Sequence, residues 1–398
     1  MDSMKKKITD SIHILLLGDI GRPPVRDILR GLLKYSRLHS AGWILYINSP
    51  YYDVPDLKKI TPENIRKWGI CGIVDILRNP SKTTEILSID LPSIVLVGTQ
   101  KNALGQHIIV CDNAEVSEMG AKYFLDKKFV DFAYCGIDSK DWSQERGEIF
   151  VKAVIKAGHR VHLYKQPHGK SGDSWEKELP FMVKWLKALP KPVGLMTCSD
   201  YRGNQILEAC GIAKLQVPDD IAILSVGNED IICEMARPPL SSVNVCWESA
   251  GYRAGEILNR LMNSEKLPPQ KLLAQPIAIF ERQSTDVLAI NDKEVKQAVR
   301  FIHRNSMKPI SVTDVAEAVS MTIRTLDRRF KKILGRSVHS EISRMRIKQV
   351  CHMLVETNLS VSQIALKLGY SDPPHLNRAF KREKGMGPLA YRQTYTAI

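Results

Sequence analysis

The sequence predicts a two-lobed α/β body followed by an all-α domain. In residues 8–286, short apolar runs alternate with amphipathic helical segments, which is typical of parallel sheets covered by helices on both faces. The alternation forms two consecutive series of similar length, which indicates two lobes. Beyond residue 286 only helical periodicity remains. At 398 residues the chain is long enough for two or three domains, and we place the boundary between domains 1–286 and 287–398.

The first series predicts strands and helices in the expected alternation. Its strands are predicted at 12–17, 43–47, 72–77, 93–97 and 108–110, with helices at 26–39 and 116–125. The second series predicts strands at 129–135, 161–164, 194–198 and 221–226, with helices at 143–157, 176–188 and 203–211. A ligand of such a body is expected between the two lobes, near the carboxyl ends of the strands.

The end of the chain carries a helix, a tight turn and a basic second helix within 364–392. Leu376, Ala379 and Phe380 share one face of the second helix and can pack on the first. The outer face is then polar and basic. A helix-turn-helix of this kind places side chains in the major groove of DNA.

A second copy of this pattern lies at 312–335, and one long helix at 340–356 connects the two copies. In the upstream copy we expect Ile323, Leu326 and Phe330 to anchor the second helix on the first. Both copies end at a glycine. The segment from residue 288 carries 20 Lys and Arg and 9 Asp and Glu, so it holds +11 of the net charge of +14. A solvated basic surface would explain the charge alone, but charge together with two helix-turn-helix units indicates a DNA-binding domain.

The pair of units resembles the DNA-binding domain of the AraC/XylS family of bacterial transcription regulators. The matching residues are Ile364-Ala365, Gly369-Tyr370, Phe380-Lys381-Arg382, Gly385, Pro388 and Tyr391-Arg392. The resemblance implies a double-stranded DNA operator as partner. The candidate DNA-binding residues are Arg324, Thr325, Arg328, Arg329, Lys331, Lys332, His375, Asn377, Arg378, Lys381 and Arg382. We expect Arg324 and Arg328 to read bases, and Lys331, Lys332, Lys381 and Arg382 to contact phosphates. Pro373-Pro374 departs from the family, which usually has polar residues there.

The first 286 residues resemble the LacI-type sugar sensor, itself similar to type I periplasmic binding proteins. The resemblance lies in Val110-Cys111-Asp112-Asn113, Arg146-Gly147, Met196-Thr197-Cys198-Ser199-Asp200, Val217-Pro218-Asp219-Asp220-Ile221 and Glu281-Arg282-Gln283-Ser284-Thr285. Because an apolar strand is predicted as early as residues 12–17, we expect no N-terminal DNA-binding headpiece of the kind that family has. A sensor of this type followed by an AraC-type domain resembles the bacterial xylose-operon regulators, which implies a monosaccharide effector, xylose or a related sugar.

The resemblance implies ligand contacts from Arg146 and Asp200, and more weakly from Asn228 and Trp247. Guanidinium and carboxylate groups bind sugar hydroxyls, and an aromatic ring covers the C–H face of the sugar. Asp200 could instead cap the helix that begins near residue 201, and Trp247 could pack in a core. Gly227 occupies the position where we expect a LacI-type sensor to have a sugar-binding aspartate, so the effector could be a sugar other than xylose.

Other chemistries lack support in the sequence. The eight cysteines form no C-x-x-C pair and the histidines show no paired ligand spacing, so we expect reduced thiols in the cytoplasm and no metal site. We expect no signal peptide, since the apolar run at 12–17 is short and ends at Gly18-Asp19. We find no nucleophile elbow or carboxylate pair and expect neither catalysis nor a cofactor.

The sequence thus predicts a cytoplasmic, sugar-responsive transcription activator. We expect it to act as a homodimer, together with RNA polymerase, and without a membrane contact. Two alternatives belong to other classes. A sugar-binding protein without a regulatory role would leave the basic helical tail unexplained, and a carbohydrate-active enzyme would need catalytic residues that the sequence does not offer.

Overall fold

The computed structural model describes residues 12–48, 61–76, 89, 91–99, 106–167, 174–287 and 292–395. The chain divides into two compact units. The first contains residues 1–117, 137–149 and 244–278, and the second contains residues 118–136, 150–243 and 279–398. The second unit therefore combines the second lobe of the predicted sensor with the helical C-terminal domain.

The first unit is built on a six-stranded sheet in which every neighbouring pair is parallel. The strands are β1 (Ile12–Leu17), β2 (Trp43–Asn48), β3 (Ile70–Asp75), β4 (Ser93–Leu96), β5 (His107–Cys111) and β11 (Lys271–Ala274), in the order β11-β5-β4-β3-β1-β2. Helices α1 (Pro23–Leu38), α2 (Pro62–Lys67) and α8 (Trp247–Met262) belong to this unit. Close packing of α1 on α8 requires glycine, because a Cβ at Gly31 would lie 2.1 Å from the carbonyl oxygen of Glu248.

The second sheet has the order β12-β10-β9-β8-β6-β7. Its strands are β6 (Asp131–Cys135), β7 (Arg160–Leu163), β8 (Val193–Thr197), β9 (Ile221–Gly227), β10 (Ser241–Val245) and β12 (Pro276–Phe280). The pairs β6-β7, β6-β8 and β8-β9 are parallel. The helices that follow in this part of the chain are α3 (Asn113–Asp126), α4 (Asp141–Lys156), α5 (Trp175–Ala188), α6 (Asp200–Ala213) and α7 (Asp230–Met235). The N-terminal parts of α3 and α4, up to residues 117 and 149, belong to the first unit.

The C-terminal domain contains seven helices among the described residues. They are α9 (Lys293–Arg304), α10 (Val312–Ala318), α11 (Ile323–Leu334), α12 (Val338–Glu356), α13 (Val361–Lys367), α14 (Pro373–Lys384) and α15 (Pro388–Tyr395). Two apolar clusters form its core. One is centred on Phe330 and the other on Phe380, and α12 contributes to both. Both predicted helix-turn-helix units and their connecting helix are therefore present.

The fold class is confirmed, with one correction to the arrangement of the lobes. We expected each lobe to be one continuous series, but residues 137–149 and 244–278 return to the first unit. The strand β11 pairs with β5, more than 150 residues earlier in the sequence. Within the described ranges, no helix is long and apolar enough to cross a membrane.

Candidate functional site

Each helix-turn-helix unit ends in a recognition helix of 12 residues, α11 in the first unit and α14 in the second. Both helices are capped in the same way. The side chains of Thr322 and Asp372 each accept a hydrogen bond from the backbone N–H three residues later. Both helices end at a glycine with positive φ, +70° at Gly335 and +73° at Gly385, which is the conformation that glycine adopts without strain. The second unit thus repeats the geometry of the first.

The two recognition helices turn their apolar faces inward and most of their basic residues outward. Leu326 and Phe330 of α11 and Leu376 and Phe380 of α14 are fully buried. The predicted DNA-binding residues that lie exposed are Arg324, Arg328, Lys331 and Lys332 in α11 and His375, Asn377, Arg378, Lys381 and Arg382 in α14. Our prediction that Ile323 anchors α11 is wrong, because this side chain is 46% exposed.

Two predicted DNA-binding residues have other roles in the structure. Arg329 Nη1 lies 3.1 Å from Glu294 Oε2, and its Nε lies 3.3 Å from Asp292 Oδ2. Arg329 therefore ties α11 to the start of α9, and its role as a DNA contact stays a prediction. Thr325 belongs to the helix cap, since its hydroxyl accepts a hydrogen bond from the Thr322 hydroxyl at 2.9 Å.

The start of α14 differs chemically from the start of α11. Pro373 and Pro374 occupy its first two helical positions, so this turn offers two fewer backbone N–H donors. The imidazole of His375 is held locally, with Nδ1 3.2 Å from Ser371 Oγ and the ring edge-on to Tyr370 at 5.6 Å. The exposed polar donors of α14 are therefore side chains further along the helix, such as Asn377 and Arg378.

In the first unit, Arg146 lies beside the carboxyl end of β5. It is 5% exposed, and its Nη2 donates to Asn113 Oδ1 at 2.8 Å. The Asn113 amide in turn donates to Glu145 Oε2 at 2.7 Å. The guanidinium lies 5.3 Å from the ring centre of Trp142, one turn earlier on α4. A planar donor group and an aromatic ring are thus adjacent, which is the combination that a sugar site needs.

Trp142 is an aromatic residue that our sequence analysis missed. It is partly exposed, whereas the predicted stacking residue Trp247 is 7% exposed at the start of α8. The structure thus favours the core-packing interpretation of Trp247. The spacing of four residues between Trp142 and Arg146 could have identified the pair, because residues four apart share a helix face.

In the second unit, Asp200 occupies the first turn of α6 but does not cap it. The cap is Ser199, whose hydroxyl accepts from the backbone N–H of Arg202. The Asp200 carboxylate instead accepts hydrogen bonds from the Ser225 and Ser242 hydroxyls, and from the backbone N–H of Glu229 at 2.8 Å. Asp200 is 4% exposed, and its two oxygens hold the turn that follows β9.

Comparisons with known proteins agree with this division of the chain. Residues 121–285 match the model of the periplasmic binding protein-like domain, and residues 315–394 match that of the helix-turn-helix domain. The xylose operon regulatory protein of Haemophilus influenzae is 28% identical over 388 residues, which cover 95% of this chain and 97% of the relative. The Escherichia coli protein of the same name is 25% identical and covers 97% and 98%. The chain is thus similar over nearly its whole length to the xylose operon regulatory proteins.

A solved structure of a xylose-binding transcription activator shares this fold, with a TM-score of 0.62 and 24% identity over 98% of this chain and 99% of the other. The likeness extends over sensor and helix-turn-helix domain together. The comparisons support a DNA-binding transcription regulator that responds to a sugar. They also confirm the resemblance from which the sensor residues were selected.

The departure of the regulator at Gly227 has a structural reason. Gly227 has a φ of +133°, and a Cβ at this position would lie 2.7 Å from Asp200 Oδ2. An aspartate here would clash with the carboxylate that shapes the turn, and its backbone would be strained. The next residue, Asn228, donates its N–H to Ser242 Oγ at 2.9 Å and accepts from Arg282 Nη1 at 3.0 Å. Asp200 and Asn228 are therefore brought together in one turn.

The second lobe also contains a buried ion pair that our sequence analysis missed. Arg202 and Glu178 pair through both guanidinium Nη atoms, and Gln166 donates to the same carboxylate at 3.1 Å. The Tyr164 ring lies 5.5 Å from the guanidinium, and burial raises the pKa of this phenol. The cluster joins α5 to α6. Neither residue is part of a recognisable motif, so only the packed structure identifies the pair.

Proposed function

We propose that this regulator binds a monosaccharide, xylose or a related sugar, through its sensor and a double-stranded DNA operator through both helix-turn-helix units. The observation that carries the proposal is the presence, in one chain, of two recognition helices with exposed basic faces and a periplasmic-binding-protein-like sensor. In this proposal the sensor is domain 1–286 and the DNA-binding domain is 287–398. The protein regulates and does not catalyse, and it uses no cofactor.

Arg146 is the proposed direct sugar contact. A guanidinium donates two hydrogen bonds in a fixed plane, and Asn113 and Trp142 orient it from two sides. Trp142 supplies the ring against the C–H face of the sugar. Asp200 acts indirectly, since its oxygens already accept three internal hydrogen bonds and thereby fix the position of Asn228. Asn228, which belongs to the second unit, stays a proposed ligand residue in its own right.

The response of the DNA-binding domain to sugar requires a firm connection to the sensor, and the second unit provides one. At its centre, the Glu281 carboxylate lies 3.7 Å from Lys127 Nζ and forms an ion pair with Lys348 of α12. The Phe280 ring packs edge-on against His352 at 5.2 Å. We call these five residues the junction. Burial alone would raise the pKa of Glu281, but the two lysines outweigh it and hold this pKa well below its usual range.

A second set of ion pairs fastens α9 to the same lobe. Asp219 Oδ1 lies 3.0 Å from Lys296 Nζ and 2.6 Å from Arg300 Nη2. Asp286 accepts from His303 Nδ1 at 3.1 Å. Because both α9 and α12 are held by the second lobe, we propose that any movement of this lobe on sugar binding is passed to the recognition helices. The sugar can drive such a change only through unequal affinity for two states of the sensor.

We further propose that the regulator is a homodimer in the cytoplasm and activates transcription together with RNA polymerase. Each monomer presents two recognition helices, which suit two major-groove segments about one helical turn, roughly 34 Å, apart. Phosphate contacts from Lys331, Lys332, Lys381 and Arg382 supply salt-dependent affinity, and Arg324 and Arg328 read base edges.

A thermal-shift screen of pentoses and hexoses, followed by footprinting with and without the stabilising sugar, tests this function. A ligand at 100 times its dissociation constant adds about 2.7 kcal/mol to stability. We expect one sugar to stabilise the protein and to increase occupancy of two adjacent protected segments. Stabilisation without any change in the footprint would favour a sugar-binding protein without a regulatory role. Turnover of the sugar would favour an enzyme.

A further inference from the structure

One apolar side chain of the first recognition helix lies where its spacing predicts a buried residue. Ile323 precedes Leu326 by three residues and Phe330 by seven, which is the register of an inward-facing helix position. Leu326 and Phe330 are fully buried, but Ile323 is 46% exposed. Among the described residues, Ile323 is not part of the apolar cluster that contains these two side chains. It is the first residue of α11, so no earlier turn of this helix covers it.

The residues around Ile323 indicate which kind of molecule contacts this side chain when the protein is bound to its partner. Arg324 follows it directly and Arg328 lies one turn further on, and both are exposed. A cationic helix face attracts a polyanion and not an apolar protein surface. The major groove offers one apolar group on the base edges, the 5-methyl group of thymine. Cationic side chains beside an apolar one therefore match a phosphate backbone beside a thymine methyl group.

We propose that Ile323 reads the 5-methyl group of a thymine in the operator and is a specificity-determining residue of the first helix-turn-helix unit. This inference rests on the proposed operator binding. The equivalent position of the second unit is the partly buried Pro373, so methyl reading by an isoleucine is confined to the first unit. The operator half that α11 contacts should accordingly require a thymine. The half that α14 contacts has no isoleucine to read a thymine methyl group at the equivalent position.

Uracil tests the proposal because it lacks the 5-methyl group and keeps the other base-edge groups of thymine. A duplex is first selected from a random pool by binding to the full-length protein, and each thymine is then replaced singly by uracil. For the wild-type protein we expect one replacement to weaken binding about fourfold, the equivalent of about 0.8 kcal/mol for one buried methyl group. Ile323→Ala should bind the thymine duplex more weakly and should no longer distinguish uracil at that position.

The control variant is Ile212→Ala, which removes an isoleucine on α6 that is 54% exposed. This variant should show the same loss of affinity on uracil replacement as the wild type, which we call the uracil effect. Ile323→Val should keep part of it. Wild-type binding that is indifferent to every uracil, or an Ile323→Ala protein with the wild-type uracil effect, overturns the proposal. Failure to select any duplex instead refutes the proposed operator binding, and this inference with it. Thermal unfolding of Ile323→Ala should match the wild type because the side chain is exposed.

Discussion

Neutralising Glu281 should uncouple the sensor from the DNA-binding domain. In Glu281→Gln the shape of the side chain is kept, but Lys127 and Lys348 lose their shared counter-charge. At an effective dielectric constant of about 20, the attraction across 3.7 Å is about 4.5 kcal/mol before desolvation. Removing one partner of a fully buried pair costs about 3–5 kcal/mol. The Lys348 side chain is 30% exposed, so we expect a net loss of about 2 kcal/mol at the junction.

The assay is the ratio of operator dissociation constants with and without the effector sugar. We expect Glu281→Gln to bind both sugar and operator, but with a ratio close to one. Lys348→Met should have a similar effect, and the double variant should lose less than the sum of both, because they share one interaction. Lys122→Met, which removes an exposed pair with Asp126, is the matched control and should respond normally. A full sugar response in Glu281→Gln would refute the coupling through this junction.

Three other predictions concern the sensor, the operator and acid stability. Arg146→Ala and Trp142→Ala should each weaken sugar binding by about 1–3 kcal/mol in calorimetric titrations. The control Arg253→Ala, which changes an exposed arginine, should bind sugar normally. Unchanged sugar affinity in both Arg146→Ala and Trp142→Ala would exclude Arg146 and Trp142 as sugar contacts. Arg328→Ala should relax base preference by about 1–3 kcal/mol, and Lys381→Ala should weaken binding to all operator sequences by the same amount. If both variants lose discrimination between bases equally on a panel of mutated operators, the assignment of base reading to Arg328 and phosphate binding to Lys381 is wrong. Burial raises the pKa of Glu341, but hydrogen bonds from His303 and Arg344 outweigh it and hold the pKa well below the ordinary 4.5. This contribution to stability is present above pH 4.5 and is lost as the pH falls below it, so Glu341→Gln should flatten the acid limb of thermal unfolding.

Much of the fold could be predicted because local periodicity determines it. The predicted strand at 12–17 coincides with β1, and the helix-turn-helix units lie where their turns and apolar faces predicted them. The return of β11 to the first sheet could not be predicted in this way. Its four residues, Lys271–Ala274, contain no sequence feature that identifies β5 as their partner. The choice between the two sheets depends on packing between residues that are distant in the sequence.

The candidate sugar site was predicted less well, because residue type does not reveal which hydrogen bonds a side chain has already made. Asp200 has the chemistry of a sugar ligand, but two serine hydroxyls and a backbone N–H occupy its carboxylate. Gly227 was recognised as a departure, and its cause is the same carboxylate, which leaves no space for a Cβ. Trp142 was available in the sequence through its spacing from Arg146, a local signal that was overlooked.

The net charge of the C-terminal segment is larger than the positive charge that this segment offers to DNA. The C-terminal segment has a net charge of +11, but several of its cations are held by carboxylates of the protein. Lys296, Arg300, Arg329, Arg336, Arg344 and Lys348 all pair with acidic side chains. Five of these cations pair with Glu341, Glu281 or Asp219, and so serve the core of the domain or its attachment to the sensor. The logarithm of operator affinity falls with the logarithm of salt concentration in proportion to the phosphates neutralised. The slope should therefore follow the exposed cations of α11 and α14 and be shallower than the basic residues of the segment suggest.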